Sequence, residues 1–364
     1  MNEHPTPRPG ILGISPYVGG DSKAEGTARV IRLASNESAL GPSPRAIEAY
    51  RKLAPEIFRY PDGGSVELRE AIGRRYGLDP ARIVCGTGSD ELISLLARAY
   101  AGAGDEVIYS RHGFLMYPIA AQSAGATPVA VPENRLTADV DGILARVSPK
   151  TRLVYIANPN NPTGTFLPRE EMLRLHAGLP RSTLLVIDAA YAEFVIRNDY
   201  EPGIELAERA ENVIMLRTFS KIYALAGLRL GWGYAGAPII DVLNRVRGVF
   251  NVNLPAQAAA IAALEDVAAV ERAREHNSIW RPWLERELSA LGLEVTPAVA
   301  NFVLAQFPGK PKDSDAAWSF LKARGILTRK MGAYGLPGHI RITVGLEEEM
   351  RAVVAALADF LRSP

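Results

Sequence analysis

The sequence predicts an α/β protein with a mainly parallel, seven-stranded sheet in a large domain and a smaller α+β domain. Between about residues 82 and 235, short apolar segments rich in β-branched residues alternate with amphipathic segments. This alternation is typical of helices that cover a mainly parallel sheet. In addition, a chain of 364 residues is long for one compact unit. We therefore expect two packed domains.

Each predicted strand of the large sheet is bounded by Gly, Pro, Asn or Asp, which favour turns. The predicted strands cover residues 83–85, 106–109, 127–131, 153–157, 184–187, 213–216 and 228–234. A helix is expected after Ser89, which can cap it. Its apolar face recurs at helical spacing and contains Leu92, Leu95, Leu96 and Ala99. Such a stripe is expected to pack on the sheet.

The C-terminal third has a different pattern. Long helical segments surround Glu285, and shorter apolar segments at 301–306 and 339–344 predict strands of the smaller domain. A last helix is predicted from apolar residues at helical spacing, namely Met350, Val353, Val354, Leu357, Phe360 and Leu361. We predict an N-terminal arm at 1–44 that lies along a partner or completes the small domain, a large domain at 45–255, and a small domain at 256–364.

Composition excludes several classes of function. The 41 basic and 40 acidic side chains give a formal net charge of +1. The chain therefore has no excess of positive charge that would favour binding to nucleic acid or to an acidic membrane surface. The sequence has no apolar stretch of about twenty residues that would span a membrane. Its one cysteine, Cys85, is expected to be a buried small hydrophobic residue in a reducing compartment. We therefore expect a soluble, cytoplasmic protein.

The five histidines lack the spacing of metal ligands, so no metal site is predicted. They are His4, His112, His176, His276 and His339.

Residues 218–232 contain a lysine in a turn of small residues and an arginine eight positions later. Lys221 lies between two apolar segments, so we expect it at the mouth of the sheet. This layout predicts that Lys221 anchors pyridoxal 5'-phosphate through a Schiff base. Ser220 and Arg229 would bind the cofactor phosphate, the arginine through its planar fork of donors.

The glycine-rich segment Gly86-Thr-Gly-Ser-Asp-Glu91 ends one predicted strand and opens a helix. Backbone N–H groups are free at such a helix start, where the helix dipole favours an anion. A phosphate group could therefore bind there. A dinucleotide fingerprint would need glycine in place of Glu91, and a P-loop would need a Gly-Lys-Ser/Thr ending that is absent.

Two further loops follow predicted strands, where open α/β sheets present their ligand-binding residues. In the segment 158–164, Asn161 is a candidate donor to the phenolic oxygen of the cofactor. Asp188 ends the next strand, and a carboxylate beside the pyridine nitrogen keeps that nitrogen protonated. Tyr191 could also donate to the phenolic oxygen. Phe114 could stack on the ring or belong to the core.

Arg341 lies within an alternating apolar strand, between Ile340 and Ile342. An arginine embedded in this way indicates a bound anion, because its fork of donors matches a carboxylate or a phosphate. Arg329 is a second basic residue shortly before it.

Together these motifs resemble the fold-type I pyridoxal-phosphate aminotransferases, and more narrowly their histidinol-phosphate aminotransferase branch, over nearly the whole chain. The matching segments are Leu33-Ala-Ser-Asn-Glu37, Gly41-Pro-Ser-Pro44, Phe58-Arg-Tyr-Pro-Asp62, the glycine-rich turn, Asn161-Pro-Thr-Gly164, residues 218–232, Phe250-Asn-Val-Asn253 and residues 334–345. The resemblance implies a homodimer with active sites at the interface, in which Tyr60 reaches the phosphate of the cofactor held by the other subunit.

The resemblance also implies roles for residues that the motifs alone leave open. Ser89 and Asp90 would contribute from the glycine-rich turn, and Thr218 would complete the phosphate site. Arg341 would hold the carboxylate of glutamate or 2-oxoglutarate, and Arg329 the phosphate of histidinol phosphate. Tyr17 would approach the substrate from the arm. The chain departs from the usual family pattern at three places, which are Ala189, the segment Tyr17-Val-Gly-Gly20 in place of Tyr-x-Pro-Gly, and Lys330.

The implied reaction moves an amino group between L-glutamate and imidazole-acetol phosphate, giving 2-oxoglutarate and L-histidinol phosphate, as in histidine biosynthesis. Ping-pong kinetics are expected. Two alternative enzymes share this fold, an aromatic amino-acid aminotransferase and a threonine-phosphate decarboxylase. A regulator that only senses pyridoxal phosphate is disfavoured, because no DNA-binding module precedes residue 30 and the chain lacks a basic excess.

Overall fold

The structure, a computed structural model, describes residues 5–23 and 29–362. In that part of the chain the helices are α1 (Pro44–Lys52), α2 (Val66–Tyr76), α3 (Ser89–Tyr100), α4 (Met116–Ala124), α5 (Val140–Arg146), α6 (Arg169–Gly178), α7 (Ile204–Arg209), α8 (Ala237–Val246), α9 (Leu254–Glu265), α10 (Val267–Ala290), α11 (Ser314–Ala323) and α12 (Glu347–Arg362). The strands are β1 (Ile31–Arg32), β2 (Ile83–Gly86), β3 (Glu106–Ser110), β4 (Thr127–Val131), β5 (Thr151–Ala157), β6 (Leu184–Asp188), β7 (Val213–Thr218), β8 (Gly231–Ala235), β9 (Glu294–Thr296), β10 (Phe302–Gln306), β11 (Ile326–Leu327), β12 (Arg329–Lys330) and β13 (His339–Thr343).

The large sheet has seven strands in the order β2-β8-β7-β6-β5-β3-β4. Strand β8 runs antiparallel to both of its neighbours, whereas the pairs from β7 to β4 are parallel. The predicted mainly parallel, seven-stranded sheet is confirmed.

The central strands are covered on both faces by helices. Every residue of β6 is buried, and successive side chains enter opposite cores. Leu184 and Val186 belong to one apolar cluster, while Leu185 and Ile187 belong to the other. Such uninterrupted burial is typical of parallel strands between two helical layers. It explains why these segments are apolar throughout.

Two details of the predicted elements are wrong. The last strand of the large sheet begins at Gly231 instead of residue 228, because Ala226–Leu228 form a short 3₁₀ turn and Arg229 has a left-handed φ of 55°. Ser89 does not cap α3 but is its first residue. The residue before the helix is Gly88, and its φ of 82° is a backbone conformation that glycine adopts more easily than other residues. Ser89 therefore lies one position inside the helix. The other predicted strand ends lie within two residues of the observed ones.

The smaller sheet is antiparallel, with the order β12-β13-β10-β9. Strand β1 pairs in parallel with β11, so residues 31–32 of the predicted arm join this part of the fold. The predicted last helix is confirmed as α12, and its buried residues share a core with Ile31 and Leu33. The long helix α10 contributes Val270 to the large core and Leu284 to the smaller one. The predicted boundaries at residues 44 and 255 stay a prediction.

Residues 5–23 and 29–362 contain no helix that is both long enough and apolar enough to cross a membrane.

Two helix starts are joined by one pair of side chains. Ser43 precedes α1, and its hydroxyl accepts a hydrogen bond from the Arg45 N–H at 3.1 Å. Asp266 precedes α10, and its carboxylate accepts from the Ala269 N–H at 3.2 Å. The Ser43 hydroxyl also donates to Asp266 at 2.5 Å. This bond is the main reason why the pKa of Asp266 is lowered; the Ala269 N–H and the nearby arginine charges add to the shift, and burial opposes it.

We expect Asp266→Ala to lower the free energy of unfolding by about 1 kcal/mol, the usual cost of losing an N-cap acceptor. Urea unfolding at neutral pH measures this change. The control is Asp266→Asn, which keeps a capping oxygen. Because the pKa of Asp266 is lowered in the folded state, its contribution is present above the ordinary carboxyl pKa and is lost as the pH falls below it. An equal loss in both variants would contradict the capping role.

Candidate active site

The strand directions bring the predicted site residues to one edge of the large sheet. The parallel strands β5, β6 and β7 end at this edge, and β8 begins there because Thr218 pairs with Gly231 in antiparallel register. Strand β2 also ends there, since Gly86 pairs with Gly231. A cavity of about 370 Å³ lies at this edge. The predicted site residues that line it are Tyr17, Ser89, Asp90, Phe114, Asn161, Asp188, Tyr191, Thr218, Ser220, Lys221, Arg229, Arg329 and Arg341.

The glycine-rich turn and β8 approach each other more closely than side chains would allow. A Cβ at Gly231 would collide with the backbone of Gly88 and Ser89, and a Cβ at Gly88 would collide with Asp90 and Arg229. The start of α3 is thereby held against the beginning of β8. The first N–H groups of a helix lack partners within it, so this arrangement suits a bound phosphate.

Arg229 lies beside this helix start. Its Nη2 donates to the Asp90 carboxylate at 2.8 Å, and its Nη1 donates to the Ala226 carbonyl at 3.1 Å. The Asp90 side chain would repel an anion, so it serves to orient the guanidinium of Arg229. The part of Asp90 suited to a phosphate is its backbone N–H.

Thr218 and Ser220 shape the turn that carries Lys221. The Thr218 hydroxyl accepts from the Ser220 N–H at 3.1 Å and donates to the Leu230 carbonyl at 3.4 Å. Both residues are buried. The turn continues with a bond of 3.0 Å from the Leu225 N–H to the Phe219 carbonyl.

The carboxylate of Asp188 is buried at the end of β6. Burial raises its pKa to about 6, while hydrogen bonds from Tyr117 and the Ala190 N–H lower it. The Tyr117 hydroxyl donates at 2.9 Å and the Ala190 N–H at 3.2 Å. Asp188 is thus a fixed, largely desolvated carboxylate, which suits it to pair with a cation.

Tyr117 was not predicted from the sequence. It is fully buried in α4 and stacks on Tyr155 with ring centroids 4.9 Å apart. A buried tyrosine needs a partner for its hydroxyl, but no motif spacing links Tyr117 to Asp188, 71 residues later.

The amine of Lys221 points into the cavity and donates to the Ser35 carbonyl at 3.1 Å. Its pKa is lowered to about 8, mainly because burial penalises the charged form. The positive charges of Arg341 and Arg229 lower it further, while Glu37 and Asp188 oppose the shift. An amine with this pKa can carry a proton in either direction near neutral pH.

Tyr191 is also buried, and burial raises its pKa to about 12. Its hydroxyl accepts a hydrogen bond from Asn36 Nδ2 at 2.9 Å, and its ring lies 5.7 Å from the Lys221 amine. Asn36 is fully buried with a φ of 54°, a conformation that asparagine tolerates better than most residues. Asn36 lies in one of the segments that resemble the aminotransferase family, but no role was predicted for it from the sequence.

Arg341 and Asn161 contact each other across the cavity. Arg341 Nη1 donates to Asn161 Oδ1, and Nη2 donates to the Ala34 carbonyl at 2.7 Å. The Nε of Arg341 is buried without a hydrogen-bond partner. Because the oxygen of Asn161 is taken by Arg341, its amide NH₂ is the group that Asn161 can offer to a ligand.

The outer part of the cavity contains Arg329, Tyr17 and Phe114. Arg329 Nη2 donates to the Val18 carbonyl, and its guanidinium lies 6.0 Å from the Tyr17 ring. The rings of Tyr17 and Phe114 meet edge to face at 6.1 Å. Phe114 lines the cavity and packs against the core, and its stacking on a cofactor ring stays a prediction.

A second cavity of about 790 Å³ adjoins the first. The two share Tyr17, Gly19, Gly20 and Arg329, and Lys330 lines the second one.

Tyr60 is the predicted site residue that lies outside the cavity. It is 80% exposed and stacks on Phe250 at a centroid distance of 4.6 Å. Ile57, Phe58 and Val249 are exposed as well. The role of Tyr60 in another subunit stays a prediction.

Among the residues that the structure describes, no group of three or more His, Cys, Asp or Glu side chains could hold a metal ion. His4 lies outside the described residues. Cys85 is buried as predicted, and burial raises the pKa of its thiol to about 12.

The fold and this site define an aminotransferase: the chain belongs to the class I and II aminotransferase family, whose family model matches residues 28–357. Its similar relatives include histidinol-phosphate aminotransferases from Rhodospirillum centenum and Paramagnetospirillum magneticum, which are 61% and 59% identical. Both alignments cover 98% of this chain and 99% of the relative.

Among solved structures, the histidinol-phosphate aminotransferase from Sinorhizobium meliloti in complex with pyridoxal-5'-phosphate is similar, with a TM-score of 0.89 and 32% identity. The match covers 97% of this chain and 96% of that chain. The family and the fold type implied by the resemblance are confirmed.

We expect the Lys221 amine of the protein without ligands to react with acetic anhydride with a pH midpoint of about 8, against roughly 10.4 for ordinary lysines. Competitive labelling followed by mass spectrometry measures this midpoint. Arg341→Gln removes a positive charge and should raise the midpoint, whereas Glu37→Gln removes a negative charge and should lower it. A midpoint for Lys221 equal to that of exposed lysines would contradict the described site.

Proposed function

We propose that this chain transfers an amino group between L-glutamate and imidazole-acetol phosphate, giving 2-oxoglutarate and L-histidinol phosphate in histidine biosynthesis, with pyridoxal 5'-phosphate as its cofactor. The observation that carries the proposal is the convergence of Lys221, Asp188 and Arg229 on one cavity that also contains Arg341 and Arg329. The relatives at 52–61% identity over nearly the full chain are histidinol-phosphate aminotransferases.

The residues of the cavity fit the cofactor. The backbone at the start of α3, Ser220 and Arg229 provide donors for its phosphate, and the close approach at Gly231 leaves that region free of side-chain bulk. The buried carboxylate of Asp188 matches a protonated pyridine nitrogen. Asn161 and Tyr191 supply donors for the phenolic oxygen. When bound, pyridoxal phosphate supplies an aldehyde that attaches to Lys221 and a ring that withdraws electrons from the substrate Cα.

Lys221 moves the proton in this scheme. Its amine accepts a proton at Nζ from the substrate Cα in one direction and returns it in the other. Because its pKa is lowered to about 8, about a tenth of the amine is neutral at pH 7 and about half at pH 8. Burial is the main cause of that shift, so exclusion of water from the cavity favours catalysis.

Two arginines at different depths would hold the two ends of the substrates. Arg341 is the deeper one and has an unpartnered Nε, so it suits the α-carboxylate of glutamate. Arg329 lies farther out beside Tyr17, where the first cavity opens into the larger one. A substrate phosphate there would be bound by Arg329, and the imidazole would lie near the aromatic rings of the outer part.

We expect the purified protein to transaminate histidinol phosphate with 2-oxoglutarate at a rate at least about tenfold above phenylalanine or tyrosine, since one charge-assisted phosphate contact is worth about 1.5–3 kcal/mol. Coupled assays of glutamate formation, together with a carbon dioxide assay on threonine phosphate, separate the three enzymes. Lys221→Ala is the control and should abolish turnover without unfolding the protein. Faster turnover of the aromatic amino acids, carbon dioxide release, or retained turnover in the control would each overturn the proposal.

We further propose a cytoplasmic homodimer with active sites at the interface. The exposed aromatic pair Tyr60 and Phe250, with apolar neighbours at Ile57 and Phe58, supports an interface on this side of the molecule. In the proposed dimer the Tyr60 hydroxyl donates to the cofactor phosphate of the other subunit. In agreement with this arrangement, Tyr60 does not line the cavity of its own chain.

A hybrid dimer tests this role of Tyr60. We expect a dimer of one Lys221→Ala chain and one Tyr60→Phe chain to have about half of the wild-type activity and one site of wild-type cofactor affinity. The intact Lys221 and the intact Tyr60 meet in that one site. The Tyr60→Phe homodimer should bind pyridoxal phosphate about tenfold more weakly, as expected for the loss of a charge-assisted hydrogen bond. Hybrids of differently tagged chains can be purified for this assay. A hybrid with the affinity of the Tyr60→Phe homodimer would show that Tyr60 acts within its own subunit.

A further inference from the structure

A buried ion pair lies behind the active site and lines neither of its two cavities. Arg217 and Glu193 have side chains that are 4% and 7% exposed, and their Nη2 and Oε1 atoms are 2.7 Å apart. The Nε of Arg217 donates to the same oxygen at 3.3 Å. The guanidinium also lies 5.0 Å from the ring of Tyr76 and 5.8 Å from that of Trp232. Both charges are therefore enclosed by protein.

A chain of hydrogen bonds extends from this pair. The Tyr76 hydroxyl donates to Glu193 Oε1 at 3.0 Å. Tyr76 has one hydroxyl proton, so in its 2.7 Å bond with Tyr223 the hydroxyl of Tyr223 is the donor. The order is therefore Tyr223 to Tyr76 to Glu193, with Arg217 on the same carboxylate. We call these four residues the Arg217–Glu193 network.

The network joins the two turns that carry the reactive groups of the cavity. Glu193 is two residues after Tyr191, and Tyr223 is two residues after Lys221. Arg217 immediately precedes Thr218 at the end of β7. Tyr76 belongs to α2, which is outside both turns. One connected set of bonds therefore fixes the Tyr191 turn, the end of β7 and the Lys221 turn to each other.

Stability alone is a weak reason for such a pair. Removing two charges from water costs free energy that their attraction often fails to recover, and well-packed apolar residues commonly stabilise a fold as well or better. What a pair with directional bonds adds is a defined geometry. A misplacement of about 1 Å near reacting groups costs about 100-fold in rate, so geometry is the property that an enzyme of this class needs here.

We propose that Arg217 and Glu193 are positioning residues, which hold the Lys221 amine and the Tyr191 hydroxyl in fixed relation to each other through Tyr76 and Tyr223. This inference rests on the proposed function. Neither Arg217 nor Glu193 touches the substrate or the cofactor in this arrangement. They affect the reaction by keeping the Tyr191 turn and the Lys221 turn in fixed positions relative to each other.

The test replaces both charges at once. In Arg217→Met with Glu193→Leu no uncompensated charge is left, so the variant is expected to fold. We expect it to bind pyridoxal phosphate about tenfold more weakly and to lose about 10- to 100-fold in kcat, with a smaller change in KM for glutamate. In the protein without cofactor, the labelling midpoint of Lys221 should rise from about 8 toward the ordinary value, as its amine gains access to water.

A second cluster, at the opposite end of the strands of the same sheet, provides a matched control. Arg82 pairs with Glu208 at 2.6 Å and lies 4.8 Å from the ring of Tyr234, where β2 begins and β8 ends. It is more exposed than the Arg217–Glu193 network but has the same residue types. Arg82→Met with Glu208→Leu should leave cofactor affinity, kcat and the Lys221 midpoint unchanged, even if the melting temperature falls.

A milder variant covers the case in which the double substitution prevents folding. Tyr223→Phe removes the bond to Tyr76 and leaves both charges paired, and it should move the same three readouts in the same direction by a smaller factor. If the network variants that fold match the wild type in cofactor affinity and Lys221 midpoint, the positioning role is overturned. If the wild type itself fails to bind pyridoxal phosphate or to transaminate, the proposed function fails instead.

Discussion

The close approach between the start of α3 and the start of β8 is the constraint on which the site depends. Gly231 leaves no room for a side chain between β8 and the backbone of Ser89. Since β8 is antiparallel to β7, its first residue lies at the edge where β6 and β7 end. The helix start, Arg229 and the Lys221 turn are therefore brought to one place by the sheet itself. A phosphate group bound there would be surrounded by backbone donors and one guanidinium.

Burial then sets the chemistry of the groups around this place. It raises the pKa of the Asp188 carboxyl to about 6 and lowers the pKa of the Lys221 amine to about 8. Both shifts move the groups away from the charged state that water would favour. For Asp188, hydrogen bonds from Tyr117 and the Ala190 N–H oppose the effect of burial on the pKa, because they stabilise the ionised carboxylate. They also hold the carboxylate in one orientation. The fold thus prepares an amine for proton transfer beside a carboxylate for charge pairing.

Much of this arrangement could be predicted from the sequence, because strand ends, turn residues and helix starts are local. The position of Asp188 at the end of an apolar segment and of Lys221 after another follows from patterning alone. Residues whose role depends on contacts distant in sequence could not be found in this way. Tyr117 meets Asp188 across 71 positions, and Asn36 meets Tyr191 across 155. Likewise, β8 is shorter than predicted because Arg229 has a left-handed conformation, and the pattern of side chains does not reveal the φ angle of a residue.

The bond between Arg329 and the Val18 carbonyl has a consequence for access to the site. The arm segment around Val18 and the phosphate of an incoming substrate would compete for the same guanidinium Nη2. If Arg329 binds a substrate phosphate as proposed, one contact of the arm would be lost as the outer cavity fills. The ion pair between Lys322 and Asp21 at 2.7 Å would still hold the neighbouring residues to α11. Under the proposed function, entry of the ligand and rearrangement of the arm would therefore be coupled, because one guanidinium contacts both the Val18 carbonyl and the incoming phosphate.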